Sequence, residues 1–446
     1  MGKLFVLFTM LMLIPCSLYA EVYSLNDLFV SALQKSEVIK IAEEDINISE
    51  HGKDKVLARF SPTLSAFGEH TRYSEKKFRA TTLLQPDSTN EWGVSIDQTL
   101  SLSGKEFTAL GKAKKGIEKS RLDLDSVKED YLLNVAIQYY LALRANREVE
   151  IAGANLERLT KHRHASKTRL EVGEATKTVL LRAEAELAGA KSEMIMAEND
   201  LKISKTRLAK TAGIIGSYDL QEPEPVIASE STVQDSINRE FLIAECGQAV
   251  LDCLREMAFS NRAEIKSMAI QKKMAEDEVQ FRKGAYWPDL SWEGVYFKQE
   301  NEPSTSFGLE ERIYGVVRLD IPIFEGGLTR AEVSEARAKL RQTEYSFSDL
   351  RKTIGVEVEN SYLIVTREAA VLEHSKAETE YALDNYNVVT KQFKFGLSDS
   401  IDVIDANTLL VTSERKHVNT EYVYQLAILR LKRVTGILLN SVRSDN

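Results

Sequence analysis

The sequence predicts an α+β membrane protein, internally duplicated, with four β-strands per chain set on long antiparallel coiled-coil helices. Three observations carry this expectation. The chain repeats itself, each repeat holds a long tract without proline, and short period-two segments precede each tract.

The repeat organises the rest. Ser61-Pro62-Thr63-Leu64 recurs as Trp287-Pro288-Asp289-Leu290, 226 residues later. Trp92-Gly93-Val94 recurs as Tyr314-Gly315-Val316, and Tyr140-Leu141 as Tyr362-Leu363, both at 222. Arg169-Leu170-Glu171-Val172-Gly173 matches Gln392-Phe393-Lys394-Phe395-Gly396 at 223. Offsets so constant over more than a hundred positions mark a duplication. The expected organisation is a signal peptide at 1–20 and a first repeat at 21–213, with its hairpin near 61–102 and long helices near 104–213. A linker follows at 214–254. The second repeat covers 255–446, with its hairpin near 287–324 and helices near 327–437.

The long helices follow from what is missing. No proline occurs from Asp87 to Glu222, or from Ile323 to the end, and an interior proline costs a helix about 3 kcal/mol. Lys, Glu, Leu and Ala dominate from Gly104 to about Arg169, so a helix of roughly 65 residues and 100 Å is expected. Beyond it, Leu180, Ala183, Leu187, Ala190, Met194, Ala197, Leu201, Ser204 and Leu208 alternate spacings of three and four, the seam of an antiparallel coiled coil.

The strands follow from a different period. Trp92, Val94, Ile96, Leu100 and Leu102 alternate with Gly93, Ser95, Asp97, Thr99 and Ser101. Val317, Leu319, Ile321 and Ile323 alternate with Arg318, Asp320 and Pro322. One apolar and one polar face describe a β-strand. Partner strands are expected near 62–74 and 288–299, with polar connections at Ser74–Asn90 and Glu300–Arg312.

At the start, Lys3, the apolar run Leu4–Ile14 and the tail to Ala20 read as a secretory signal; the run is too short to span a bilayer. Leu13-Ile14-Pro15-Cys16 also resembles a lipoprotein signal, with Pro15 where a small residue is usual, so lipidation of Cys16 stays open. Cys246 and Cys253 pair if they lie in a loop and are buried thiols if they share one helix. The chain has 446 residues, 58 Lys and Arg against 67 Asp and Glu, and a formal net charge of −9. Without a basic cluster, that balance argues against nucleic acid as a partner.

Four strands cannot close a barrel, and lipid does not tolerate open sheet edges. Membrane barrels begin at eight strands, so copies must share them: a dimer gives eight and a trimer twelve. The apolar faces would then meet lipid, and Asp97, Arg318 and Asp320 the water inside. A soluble β-layer on a helical rod is the alternative. The export signal, with Trp92, Trp287, Trp292 and Tyr314 near strand ends, favours the bilayer.

With these features in place, the chain resembles the TolC family of outer-membrane factors over essentially its whole mature length. The resemblance rests on the duplication, the order of hairpin, long helix and returning helix, and two helix-turn motifs. These are Arg169-x3-Gly173-x6-Leu180-x2-Ala183-x3-Leu187 and Gln392-x3-Gly396-x7-Ile404-x-Ala406. It implies a homotrimer with a 12-stranded barrel in the outer membrane and a helical tunnel crossing the periplasm. It also implies a mixed α/β belt near 214–260 and the C-terminus, making 214–254 an equatorial linker. The implied function is a passive exit duct of a tripartite efflux pump or type I secretion system, joined to a periplasmic adaptor and an inner-membrane transporter.

The resemblance also assigns sites. The turns Val172-Gly173-Glu174 and Phe395-Gly396-Leu397 become adaptor-docking tips, or simply helix caps. Asp402 and Asp405 become carboxylates ringing the periplasmic entrance, or acids that favour a helix start. The family's lock tyrosine falls on Phe393 and its lock arginine on Ser398, while the first tip offers Val179, so that lock does not transfer. No Walker loop, dinucleotide fingerprint, His-Glu-x2-His or Cys-x2-Cys occurs. His162 and His164 are expected on solvated surface. No enzyme, cofactor or metal is expected. The competing reading is a periplasmic coiled-coil adaptor or scaffold without a barrel.

Overall fold

A computed structural model describes residues 21–80, 82–223, 250–303 and 310–444. Elements occur in the order β1 (Glu21–Tyr23), α1 (Leu25–Lys35), α2 (Glu37–Ala58), β2 (Thr63–Arg72), β3 (Lys77–Arg79), β4 (Thr82–Gln85), β5 (Ser88–Ser101), α3 (Lys105–Glu171), α4 (Lys177–Ala212) and β6 (Tyr218–Leu220). The second half continues with α5 (Val250–Asn261), α6 (Ala263–Lys283), β7 (Asp289–Glu302), β8 (Glu311–Asp320), α7 (Leu328–Lys394), α8 (Ser400–Val434) and α9 (Leu438–Ser444).

The duplication is structural. Both α3 and α7 have 67 residues and start 223 apart, at Lys105 and Leu328. The returning helices α4 and α8 also start 223 apart, at Lys177 and Ser400. At 1.5 Å per residue each long helix measures about 100 Å. Each opens after a glycine at positive φ, Gly104 at 69° and Gly327 at 89°, where the chain turns sharply out of its strand. The expected seam on α4 faces inward: Ala183, Ala190 and Leu208 are buried, and its other six residues are half-buried.

Two features depart from the sequence expectations. Each hairpin is preceded by two shorter helices, α1 and α2 or α5 and α6, whose apolar faces pack on the long helices. The connection at Ser74–Asn90 holds a small hairpin, β3 with β4, in which Phe78 pairs with Leu83. One apolar cross-strand pair closes that hairpin without any long period-two run.

The main sheet is antiparallel in the order β2-β5-β7-β8. The two repeat hairpins therefore lie side by side, joined through β5 and β7 from Ser88↔Glu302 to Ser101↔Asp289. Strands β2 and β8 are its edges, and neither pairs further within the chain among the described residues.

The core lies partway along the helices. One cluster gathers Leu28, Leu132, Tyr139, Leu143, Leu208 and Leu438. Another gathers Leu254, Ile354, Val358, Val365, Tyr424 and Leu431. Each such side chain contributes about 1.5–3 kcal/mol by leaving water. Here β1 pairs in parallel with β6, and α5 and α9 pack alongside. A network of ions ties the halves together: Arg433 on α8 donates to Asp130 on α3 at 2.7 Å and to Glu264 on α6 at 2.6 Å. Arg262 donates to the same Glu264 at 3.0 Å. Cys253 is disulfide-bonded; Cys246, Cys16 and the signal segment lie outside the described residues.

Candidate functional site: the sheet faces and the helix tips

Strand register sorts the sheet into two faces. Leu64, Val94, Ile96, Trp92, Leu100, Leu290, Trp292, Tyr296, Ile313, Val317 and Leu319 share one face. That face is uncovered: Leu64 is 72% exposed, Val317 76% and Ile313 82%. Its apolar stretch on β5, from Trp92 to Leu100, is about 26 Å long at 3.3 Å per residue. Tilted by about 40°, it stands about 20 Å tall, close to the apolar band of a membrane barrel.

The opposite face carries Asp97, Arg318 and Asp320, together with Thr63, Ser65, Ser95 and Ser291. Ser95 donates to Asp97 at 3.0 Å. Tyr314 also lies on this polar face, opposite Val295, so it is not on the apolar face that the sequence suggests for it. Trp92 and Trp292 are on the apolar face. Trp287 lies just before β7 and is 60% exposed.

The two helix turns are built alike. After α3, Glu174 N–H reaches Arg169 C=O at 2.8 Å and Gly173 N–H reaches Leu170 C=O at 3.1 Å. After α7, Leu397 N–H reaches Gln392 C=O at 2.9 Å and Gly396 N–H reaches Phe393 C=O at 3.1 Å. Both are Schellman endings, with φ of +82° at Gly173 and +75° at Gly396. What such endings do not require is exposed apolar surface, yet Val172 is 65% exposed, Phe395 81% and Leu397 79%. A groove of about 940 Å³, lined by residues of both turns, separates them.

Behind the turns lies a buried contact that no sequence motif announces. The Arg169 guanidinium sits 4.0 Å from the centre of the Phe393 ring and donates to the Phe393 carbonyl. On its other side Phe393 packs against His162, with ring centres 5.2 Å apart. His162 Nε2 lies 2.8 Å from Ser400 Oγ. His162 is therefore buried, not solvated as the sequence suggests, because α7 and α8 fold over that face of α3; His164 is exposed. Burial first, then the Arg169 charge, push the His162 pKa down.

Asp402 and Asp405 are both exposed but differ in their contacts. Asp399 caps α8, accepting from Ile401 N–H at 2.7 Å and Asp402 N–H at 3.0 Å. Asp402 returns the bond, accepting from Asp399 N–H at 3.0 Å and from Ser398 Oγ at 2.9 Å. Its carboxylate thus completes a capping box. Asp405, one turn on, is not engaged in that box. Among the described residues no cluster of three side chains could hold a metal ion. No described helix is long and apolar enough to cross a membrane.

The family model for outer membrane efflux proteins matches residues 28–214 and 254–437. The chain belongs to this family. The chain is 22% identical to the alkaline protease secretion protein AprF of Pseudomonas aeruginosa, covering 77% of this chain and 70% of that one. It is 23% identical to the outer membrane protein TolC of Vibrio cholerae, covering 78% and 76%. The fold agrees with the crystal structure of the outer membrane protein VceC from Vibrio cholerae, at a TM-score of 0.72 and 17% identity over 92% of this chain and 96% of that one. Such an outer membrane efflux protein sits in the outer membrane with its helices reaching into the periplasm.

Proposed function

We propose that three copies of this chain join edge to edge, β8 of one beside β2 of the next, into a 12-stranded barrel above a shared helical tunnel. The assembly is a passive exit duct for a tripartite efflux pump or a type I secretion system. One observation carries this reading: a four-stranded sheet with both edges open and one largely apolar face bare, on a chain with no spanning helix among the described residues. In water such a sheet would aggregate; in a closed barrel it meets lipid on one side and water on the other.

Further apolar stripes suit neighbouring copies. Val356, Leu363, Tyr381 and Val388 are exposed along one face of α7, as are Leu181, Ile195 and Ile203 on α4. The barrel lumen is lined by Asp97, Arg318 and Asp320. The bare turns at Val172-Gly173-Glu174 and Phe395-Gly396-Leu397 receive the adaptor's helices. Asp405, with Asp402 beside it, faces the narrow entrance. Nothing in this arrangement couples to an energy source, so the inner-membrane transporter supplies it.

Cell fractionation tests the reading. The duct predicts recovery with the outer membrane and a trimer on gels that dissociates on heating. Release by osmotic shock as a soluble protein would instead support the periplasmic adaptor.

A further inference from the structure

The polar face of the sheet is not uniformly polar. Near the outer end of the apolar band, Phe67, Phe297, Tyr314 and Val295 interrupt it at two adjacent levels. Phe67 faces Gly93, and Gly93 faces Phe297, across β2, β5 and β7. Tyr314 on β8 stands edge-on to Phe297, ring centres 6.4 Å apart. Gly93 makes the cluster possible: a Cβ there would lie 2.8 Å from the Phe67 ring and 2.4 Å from the Tyr296 carbonyl. Yet Phe67 and Tyr314 remain 42% and 45% exposed, so these rings are packed into a platform without being covered.

Carboxylates flank the platform. On one side Glu69 stands directly opposite Glu91; on the other Asp97 stands directly opposite Glu293. Like charges in direct cross-strand register lower stability. Each pair lies about 7 Å along the strands from the nearest ring level, two residues at 3.3 Å each. Arg312 places its guanidinium 5.4 Å from the Phe297 ring centre, so this ring already accepts a planar cation.

We infer that this platform is a transit site for aromatic organic cations inside the duct, formed by Phe67, Phe297 and Tyr314 with the carboxylate pairs Glu69/Glu91 and Asp97/Glu293. The inference rests on the duct reading, which turns this face inward. Three copies then form an aromatic girdle between two acidic rings. The rings stack on the aromatic faces of such cations, and the carboxylates above and below favour their charge over that of anions.

Single-channel recording in planar bilayers tests this with tetraphenylphosphonium, tetraethylammonium and an aromatic sulfonate. Tetraphenylphosphonium should interrupt the wild-type current in resolved blocks, the other two far more weakly. Phe67→Leu with Tyr314→Leu keeps apolar strand residues and should shorten those blocks about tenfold while leaving open conductance near wild type. Tyr314→Phe should retain them, and Glu69→Gln with Glu91→Gln should raise the blocking concentration. Equal block by aromatic and aliphatic cations, or block unchanged in the leucine variant, overturns the transit site while the duct stands. A trimer that conducts no current overturns the duct reading and this inference with it.

Discussion

The difference between Asp402 and Asp405 shows how much one hydrogen bond changes a residue's reading. By sequence they are equivalent: i, i+3 acids at a helix start. In the fold, Asp402 spends its carboxylate on the N-cap backbone and on Ser398, whereas Asp405 stands clear of that box. Asp402→Ala is therefore expected to loosen the first turn of α8 by about 1 kcal/mol. Asp405→Ala should weaken divalent-cation block in planar bilayers. Equal effects on block would merge the two roles again. Glu129 supplies a pH dependence. Burial, opposed by the Arg433 charge, raises its pKa to about 7 from an ordinary 4.5. The folded chain therefore holds a proton that the unfolded chain has lost between those values. Stability falls as pH rises through that window, by up to about 3 kcal/mol. Glu264 acts in the other direction. Burial would raise its pKa, but hydrogen bonding from Arg262 and the charges of Arg433 and Arg262 bring it to about 2. Its contribution is present above 4.5 and lost as pH falls towards 2. Glu129→Gln should flatten the decline in melting temperature between pH 5 and pH 8, measured by circular dichroism. A variant with the wild-type slope would place the titrating group elsewhere. Neither the clamp of His162, Phe393 and Arg169 nor this ion network was legible in the sequence. Their members lie more than 200 residues apart, from Arg169 to Phe393 and from Asp130 to Arg433. No local spacing encodes such meetings.

Elements were far more legible, for a physical reason. A 67-residue helix is announced by missing proline, and the returning helix α4 by its three-four seam, both local properties of the chain. Strands β5 and β8 show period two because one face is bare and the other polar. The small hairpin of β3 and β4 was hidden because one cross-strand apolar pair stabilises it, too few positions to set a period. The four helices α1, α2, α5 and α6 were hidden because they neighbour the hairpins and their apolar stripes are short. Tyr314 was misplaced because an aromatic near a strand end fits either face until register is known. Gly93 carries the prediction at this scale. A side chain there would collide with Tyr296 and with both Phe67 and Phe297, forcing β5 away from β7 at the join between hairpins. Gly93→Val should abolish the heat-sensitive trimer while far-UV dichroism, dominated by the long helices, stays near wild type. A normal trimer would show that this join tolerates a register shift.

At the scale of the whole molecule, the proposed trimer makes one chain a fragment of a surface that closes on its copies. Among the described residues the sheet ends in two strands with one side unpaired, its largely apolar face has no cover, and α7 carries exposed apolar residues 7 or 18 positions apart, repeats that return to one helix face. The low mean hydropathy of −0.25 is no contradiction, because a barrel confines its apolar side chains to alternate positions. Twelve strands follow if three chains contribute four each, and the two proline-free tracts of every chain then wall one tunnel. Native mass spectrometry of the protein extracted from outer membranes in mild detergent tests this most directly. The account predicts an assembly of three chains; a monomer under the same conditions would contradict it.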